Sequence, residues 1–152
     1  DPSFQNLAAS MKNDITCTIC TQIISLPYVL SCGHTACRAC LEGWFSELLV
    51  QHLERHPHAD LPNMQPYYDA IRDPSLDETI RERAIAEATM VLKFHPRPSY
   101  TCPICRQILK TKPTGEIALR SIVSSVAHSL GEENPNTGSV HEEEGFWDGF
   151  FP

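Results

Sequence analysis

The chain has 152 residues, 41% of them apolar, a formal net charge of -7 and seven cysteines. That length holds one domain with appendages. An acidic chain with an isoelectric point near 5.4 argues against binding nucleic acid through the phosphate backbone, which needs a basic surface, and makes a protein partner the better expectation. No apolar run approaches the roughly 18 to 20 residues that span a bilayer. Asp1-Pro2-Ser3 shows neither an initiator Met nor a signal-peptide pattern, so a piece of a longer, soluble, intracellular protein is expected, in the nucleus and/or the cytoplasm. An odd number of cysteines set in C-x-x-C pairs fits metal ligation in a reducing compartment better than disulfides.

Taken in chain order, residues 1–13 carry Phe4, Leu7, Ala8 and Met11 at i, i+3, i+4 and i+7, which predicts a short flanking helix with Asp1 as its N-cap. Either its apolar stripe closes the core or it meets a partner. Residues 14–40 hold Cys17-x-x-Cys20 and then Cys32-Gly33-His34-x-x-Cys37-x-x-Cys40. Between the two groups, Pro27 marks a loop leading into a short strand around residues 28–30. Gly33 is expected because a side chain would crowd two ligands one residue apart. After a break of 61 residues, 41–101, comes Cys102-Pro103-Ile104-Cys105. Eight donors, counting His34, close two tetrahedral sites of four Cys or His each, so two enclosed structural zinc ions are expected.

Within the break, Leu41, Trp44, Phe45, Leu48, Leu49 and Leu53 predict a helix to about His52. A proline-marked stretch from 57 to 74, with His56, His58, Pro62 and Pro66, reads as a loop. Asp73-Pro74-Ser75 opens a second helix through Ile80, Ala84, Val91 and Leu92, ending before Pro96, with Asp77, Glu78 and Glu82 in its early turns. The pair is expected as a helical hairpin projecting from the zinc core. His52, His56 and His58 lack the further donors of a third metal site and are expected to be solvated. Residues 107–112 are expected to supply a short strand. Pro113-Thr114-Gly115 then starts a C-terminal flanking helix over 113–131, with Leu119, Ile122, Val123, Val126 and Leu130 on one face and Gly131 as its stop. The tail, 132–152, combines acidic residues with Phe146, Trp147, Phe150 and Phe151, which are folded back on the domain or held by a partner, with plain disorder as the remaining alternative.

The order Cys, Cys, Cys, His, Cys, Cys, Cys, Cys resembles the RING fingers of ubiquitin ligases. The resemblance implies a small α+β domain over 14–112 with a short β-hairpin, flanking helices and a helical insertion at about 41–101. It implies a cross-brace, with Cys17, Cys20, Cys37 and Cys40 on one zinc and Cys32, His34, Cys102 and Cys105 on the other. It also implies a groove for a ubiquitin-conjugating enzyme (E2) at Ile19, Leu26, Pro27, Trp44 and Pro103. Arg106, after the last ligand, is similar to the basic linchpin that contacts both ubiquitin and E2, a role that suits the planar fork of a guanidinium. The implied activity is that of a RING-type ubiquitin ligase (E3) passing ubiquitin from E2 directly to a substrate lysine, because the metals leave no thiol to act as a nucleophile. A non-catalytic zinc scaffold, an inactive partner RING and a histone-tail reader are the alternatives, and the flanking helices could pair in a homodimer or heterodimer. The family's spacing after the sixth ligand is a couple of dozen residues. Lengthening that loop to 61 residues costs only about 1 kcal/mol, small beside the roughly 10 to 16 kcal/mol a structural zinc contributes.

Overall fold

In the computed structural model, residues 2–56, 63–91, 93, 96–136 and 145–151 are described. The stretch before the ligand turn folds into the expected hairpin: β1 (Pro27–Val29) pairs antiparallel with β2 (Thr35–Cys37), Tyr28 opposite Ala36. Its turn is closed by the Gly33 N–H to the Leu30 carbonyl and the Leu30 N–H to the His34 carbonyl, both 2.8 Å. Gly33 is required for its backbone, not for crowding. Its φ of +91° lies in the left-handed region, and nothing stands within 4 Å of where a Cβ would be.

The other edge of β1 is covered by β3 (Thr114–Gly115), giving the order β2-β1-β3. This corrects the expectation that 113–115 starts a helix and that 107–112 forms a strand, since Ile108 makes only an isolated bridge to Thr101. Pro113 disfavours helical backbone before it and Thr114 is β-branched, so the chain stays extended through Gly115.

The flanking helices form a small core of their own. α1 (Pro2–Met11) and the C-terminal helix (Ile117–Ser129) pack through Ala8, Ile15, Val123 and Val126, with Met11, Ile23, Leu119 and Leu130 around them. Gly131, at φ +68°, ends the C-terminal helix, and the Glu132 N–H reaches back to the Ala127 carbonyl at 3.0 Å, as a Schellman closure requires. Phe4 and Leu7, half of the expected N-terminal stripe, are exposed. The cap expected at Asp1 lies outside the described residues.

The insertion belongs to the main core. α2 (Arg38–Arg55) starts three residues earlier and ends three later than expected, and buries Leu41, Phe45, Leu49 and Leu53 at a spacing of four. Where a loop was expected, α3 (Gln65–Arg72) forms with Pro66 in its first turn, the one place in a helix where a missing N–H costs nothing. Residues 57–62 of that expected loop lie outside the described residues. α4 (Glu78–Val91) starts five residues after Asp73, whose carboxylate instead closes a turn by accepting from Ser75 N–H at 2.9 Å. Its buried face is Ala84, Ile85 and Ala88, while Ile80 is exposed; Leu92 is outside the described residues. Ile71, Ala84, Ile85 and Ala88 share one apolar cluster with Phe45, Leu49 and the ligands Cys17 and Cys102, so the helices do not project as a separate hairpin. Three Arg72 hydrogen bonds to Glu47 and Glu54, at 2.9 to 3.3 Å, also tie α3 to α2, though exposed pairs of this kind contribute little.

The aromatic tail is folded back. Trp147 (3% exposed) and Phe150 (6%) are core residues, and Trp147 meets Tyr28 of β1 and Phe45 of α2 edge-on, with centroids 5.3 and 5.6 Å away. The acidic run before it, 142–144, lies outside the described residues. We number the C-terminal helix, Ile117–Ser129, α5.

Candidate metal centres and docking groove

Eight donors are brought together from four pieces of chain. Cys17, Cys20, Cys37 and Cys40 form one group and Cys32, His34, Cys102 and Cys105 the other, the donor atoms within each lying no more than 4.8 Å apart. Tetrahedral zinc with Zn–S near 2.3 Å and Zn–N near 2.0 to 2.1 Å sets edges of about 3.8 Å for S···S and about 3.5 Å for S···N. The observed Cys20 Sγ to Cys37 Sγ distance is 3.8 Å, and Cys32 Sγ lies 3.5 Å from His34 Nδ1. The residues therefore fit two structural zinc ions, and all seven cysteines are free thiols within these sites.

Two knuckles supply half of the donors, and they are repeats of one another. Ile15-Thr-Cys-Thr-Ile-Cys-Thr-Gln-Ile-Ile24 and Tyr100-Thr-Cys-Pro-Ile-Cys-Arg-Gln-Ile-Leu109 agree at six of ten positions. Their backbones agree further. The residue after each second cysteine donates to the carbonyl of the first, Thr21 to Cys17 at 2.8 Å and Arg106 to Cys102 at 2.9 Å. Each first cysteine N–H bonds the glutamine carbonyl, at 2.8 and 2.9 Å, and bridges join Thr16 to Ile23 and Thr101 to Ile108. Thr21 and Arg106 both take left-handed φ values, +60° and +65°. The direct repeat was present in the sequence and passed unused there.

The sulfurs receive further support from the backbone. Ser25 N–H donates to Cys37 Sγ at 3.2 Å and Ile104 N–H to Cys102 Sγ at 3.4 Å, contacts of the kind that orient ligands. Protons on the thiols are poised unevenly. Burial opposes ionisation of Cys17, but backbone N–H groups of Cys20, Cys37 and Ile19 outweigh it and bring the thiol down to about 7. The Gln107 backbone N–H does the same for Cys105, also to about 7. Burial, reinforced by the charge of Cys17, pushes Cys37 up to about 12, and burial and neighbouring thiols push Cys40 up as well. Four crowded thiols resist carrying four negative charges, and a bound dication removes that resistance.

The residues expected to line the groove sit around these knuckles. Ile19 is 42% exposed at the tip of the first. Its counterpart Ile104, 38% exposed, occupies the same place on the second, a position that the repeat marks in the sequence. Trp44, half-buried, donates its Nε1–H to the Thr101 carbonyl at 2.8 Å, and the Arg106 guanidinium lies over its ring at 4.5 Å from the centroid. Pro103 is half-buried beside it in the second knuckle. Leu26 is half-buried at a left-handed φ of +50°, whereas Pro27 is buried at the start of β1. Of the histidines considered for a third metal, His52 and His56 stack on one another with centroids 4.4 Å apart, and His58 lies outside the described residues.

Residues 17–55 match the RING-type zinc-finger family. The chain carries a RING finger. The match stops at residue 55, where α2 ends and the chain leaves the family's spacing, while the RING ligands continue to Cys105. Among curated proteins, the chain is 34% identical over 65 residues to tripartite motif-containing protein 5 of Saimiri boliviensis boliviensis, covering 40% of this chain and 13% of that protein. It is 36% identical over 53 residues to a probable E3 ubiquitin-protein ligase, BAH1-like, of Arabidopsis thaliana, covering 34% and 16%. A third relative, tripartite motif-containing protein 59 of Gallus gallus, is 50% identical over 32 residues, 21% and 8% of the two chains. The matches thus span 8 to 16% of the length of these relatives. No solved structure matches.

Proposed function

We propose that this RING finger is a ubiquitin ligase module that recruits a ubiquitin-charged E2 and promotes direct transfer to a substrate lysine, inside the cell where its thiols stay reduced. The observation that carries the reading is Arg106, the residue after the last ligand, held over Trp44 at 4.5 Å. Its guanidinium rests on an aromatic face while the residue stays exposed at the surface. Ile19, Leu26, Trp44 and Pro103 give E2 a shallow apolar docking surface, and Pro27 shapes it from beneath. Ile104 joins them by its equivalence to Ile19.

All seven cysteines lie in the metal groups, so no covalent ubiquitin–ligase intermediate is available. Coordinatively full zinc serves as scaffold rather than Lewis acid. What the chain contributes is position: it restrains the E2-bound thioester so that the lysine amine meets its carbonyl, and the Arg106 guanidinium donates to carbonyls on ubiquitin and E2 at once.

The test is discharge of ubiquitin from a loaded E2 to free lysine, across a panel of conjugating enzymes. The chain accelerates it, Arg106→Ala lowers kcat by about 10-fold to 100-fold, as expected for donors worth 1.5 to 3 kcal/mol, and Ile19→Ala raises KM; zinc stays at two per chain in both. A chain with both zincs that accelerates discharge from no E2 is a scaffold and not a ligase.

A further inference from the structure

We propose that Asn136, contributed from beyond α5, is a positioning residue that holds the E2-docking loop at residues 24–26 in its binding shape; this rests on the ligase reading above. Asn136 is 8% exposed, and its side chain reaches across 110 residues of sequence. Its Oδ1 accepts from the Leu26 N–H at 2.7 Å and its Nδ2 donates to the Ile24 carbonyl at 3.0 Å. The opposite amide orientation would set oxygen against carbonyl and N–H against N–H, so the two bonds fix the side chain one way round. Its own N–H donates to Asn134 Oδ1 at 2.9 Å, which locks the turn from which it projects.

What Asn136 holds is a strained loop. Leu26 sits at φ +50°, a region that a bulky residue other than glycine rarely enters unless its surroundings impose it. The other ties come from the finger: the Leu26 carbonyl accepts from Arg38 N–H at 3.1 Å, and Ser25 N–H donates to Cys37 Sγ at 3.2 Å. Without Asn136, the Leu26 N–H and Ile24 carbonyl lose their partners, and Leu26 loses a main reason to stay left-handed. The loop then samples extended backbone, which carries the Leu26 side chain away from where E2 meets it. Such a loss weakens docking of substrate and transition state alike, so it appears in KM and not in kcat.

The experiment measures lysine discharge and amide hydrogen exchange on the chain with both zincs bound. Asn136→Ala should raise KM for charged E2 about tenfold, equal to 1.4 kcal/mol, leave kcat within about twofold, and abolish exchange protection of the Leu26 amide. Asn136→Asp keeps the acceptor for Leu26 but sets an oxygen against the Ile24 carbonyl, so it should retain protection of the Leu26 amide and recover only part of the KM; this variant carries the test if the alanine protein loses zinc. A wild-type chain that discharges E2 while Asn136→Ala keeps its KM, or leaves the Leu26 amide protected, overturns the role of Asn136 alone. A wild-type chain that discharges no E2 overturns the ligase reading and the docking role with it.

Discussion

The two zinc knuckles share a sequence pattern and a backbone, yet they are embedded differently. The first, 15–24, sets Ile15 into the small core between α1 and α5. The second, 100–109, sets the equivalent Tyr100 into the main core, where it meets Phe45 and Phe150 edge-on at 5.5 and 5.4 Å. At the left-handed position the first carries Thr21, whose hydroxyl turns back to the Cys20 carbonyl at 2.6 Å, and the second carries Arg106, aimed at Trp44. The two knuckles share one set of backbone hydrogen bonds and differ in the residues that supply no metal donor.

The largest effect should treat both knuckles alike. Chelation, or serine at either Cys17 or Cys102, removes binding free energy on the order of 10 kcal/mol, and circular dichroism and zinc content should show unfolding from either side. A chain that keeps one zinc and one folded half would break the cross-brace. Next come the two cores: Trp147→Ala should cost about 3 to 5 kcal/mol and Val123→Ala about 2 kcal/mol in urea unfolding. Hydrogen exchange should quicken around Tyr100 in the first variant and around Ile15 in the second.

Smaller and sharper is the exchange of both left-handed residues for glycine. Thr21→Gly and Arg106→Gly should each gain about 1 kcal/mol of stability by relieving a conformation that L-residues resist, while only Arg106→Gly loses lysine discharge. Equal losses of activity would mean that the linchpin reading rests on backbone alone. The smallest effect lies on α2, since neither knuckle holds a carboxylate. Glu42 is 6% exposed, and burial raises its carboxyl above the ordinary 4.5 despite Arg81 nearby. A raised carboxyl favours the folded state below 4.5, and that contribution is lost as pH rises through the raised value. The stability of Glu42→Gln minus that of the parent should therefore grow with pH above 4.5, the subtraction cancelling the acid release of zinc common to both.

The ligand set, β1, α2 and the body of α5 were legible because each writes a spacing into the sequence: C-x-x-C, a Pro-bounded apolar run, and apolar residues every three or four; the hairpin followed only from the family resemblance. α3 was not, because Pro66 reads as a breaker unless one knows that it falls in a first turn. The projection of the insertion was misjudged for a related reason: Ala84, Ile85 and Ala88 show that a face is apolar and not which surface covers it. For the tail, four aromatics in six residues left three destinations open, a core, a partner or disorder, and only Tyr28 and Phe45 decide among them. Asn136 gave no signal at all, since an asparagine after Pro135 is ordinary turn chemistry and its partners are backbone groups that no residue type announces.

The seating of Trp147 against Tyr28 also sets a timetable for biosynthesis. The ring of Trp147 is made 119 residues after Tyr28, an interval of about 6 to 24 s at 5 to 20 residues per second. For most of that interval β1 also lacks β3, and knuckle one waits for α5. The first metal group is complete at Cys40, yet its partner group waits for Cys105 and the hydrophobic side for Trp147, so protease resistance of ribosome-held chains should arrive in one late step after Trp147 emerges, and not on binding of the first zinc.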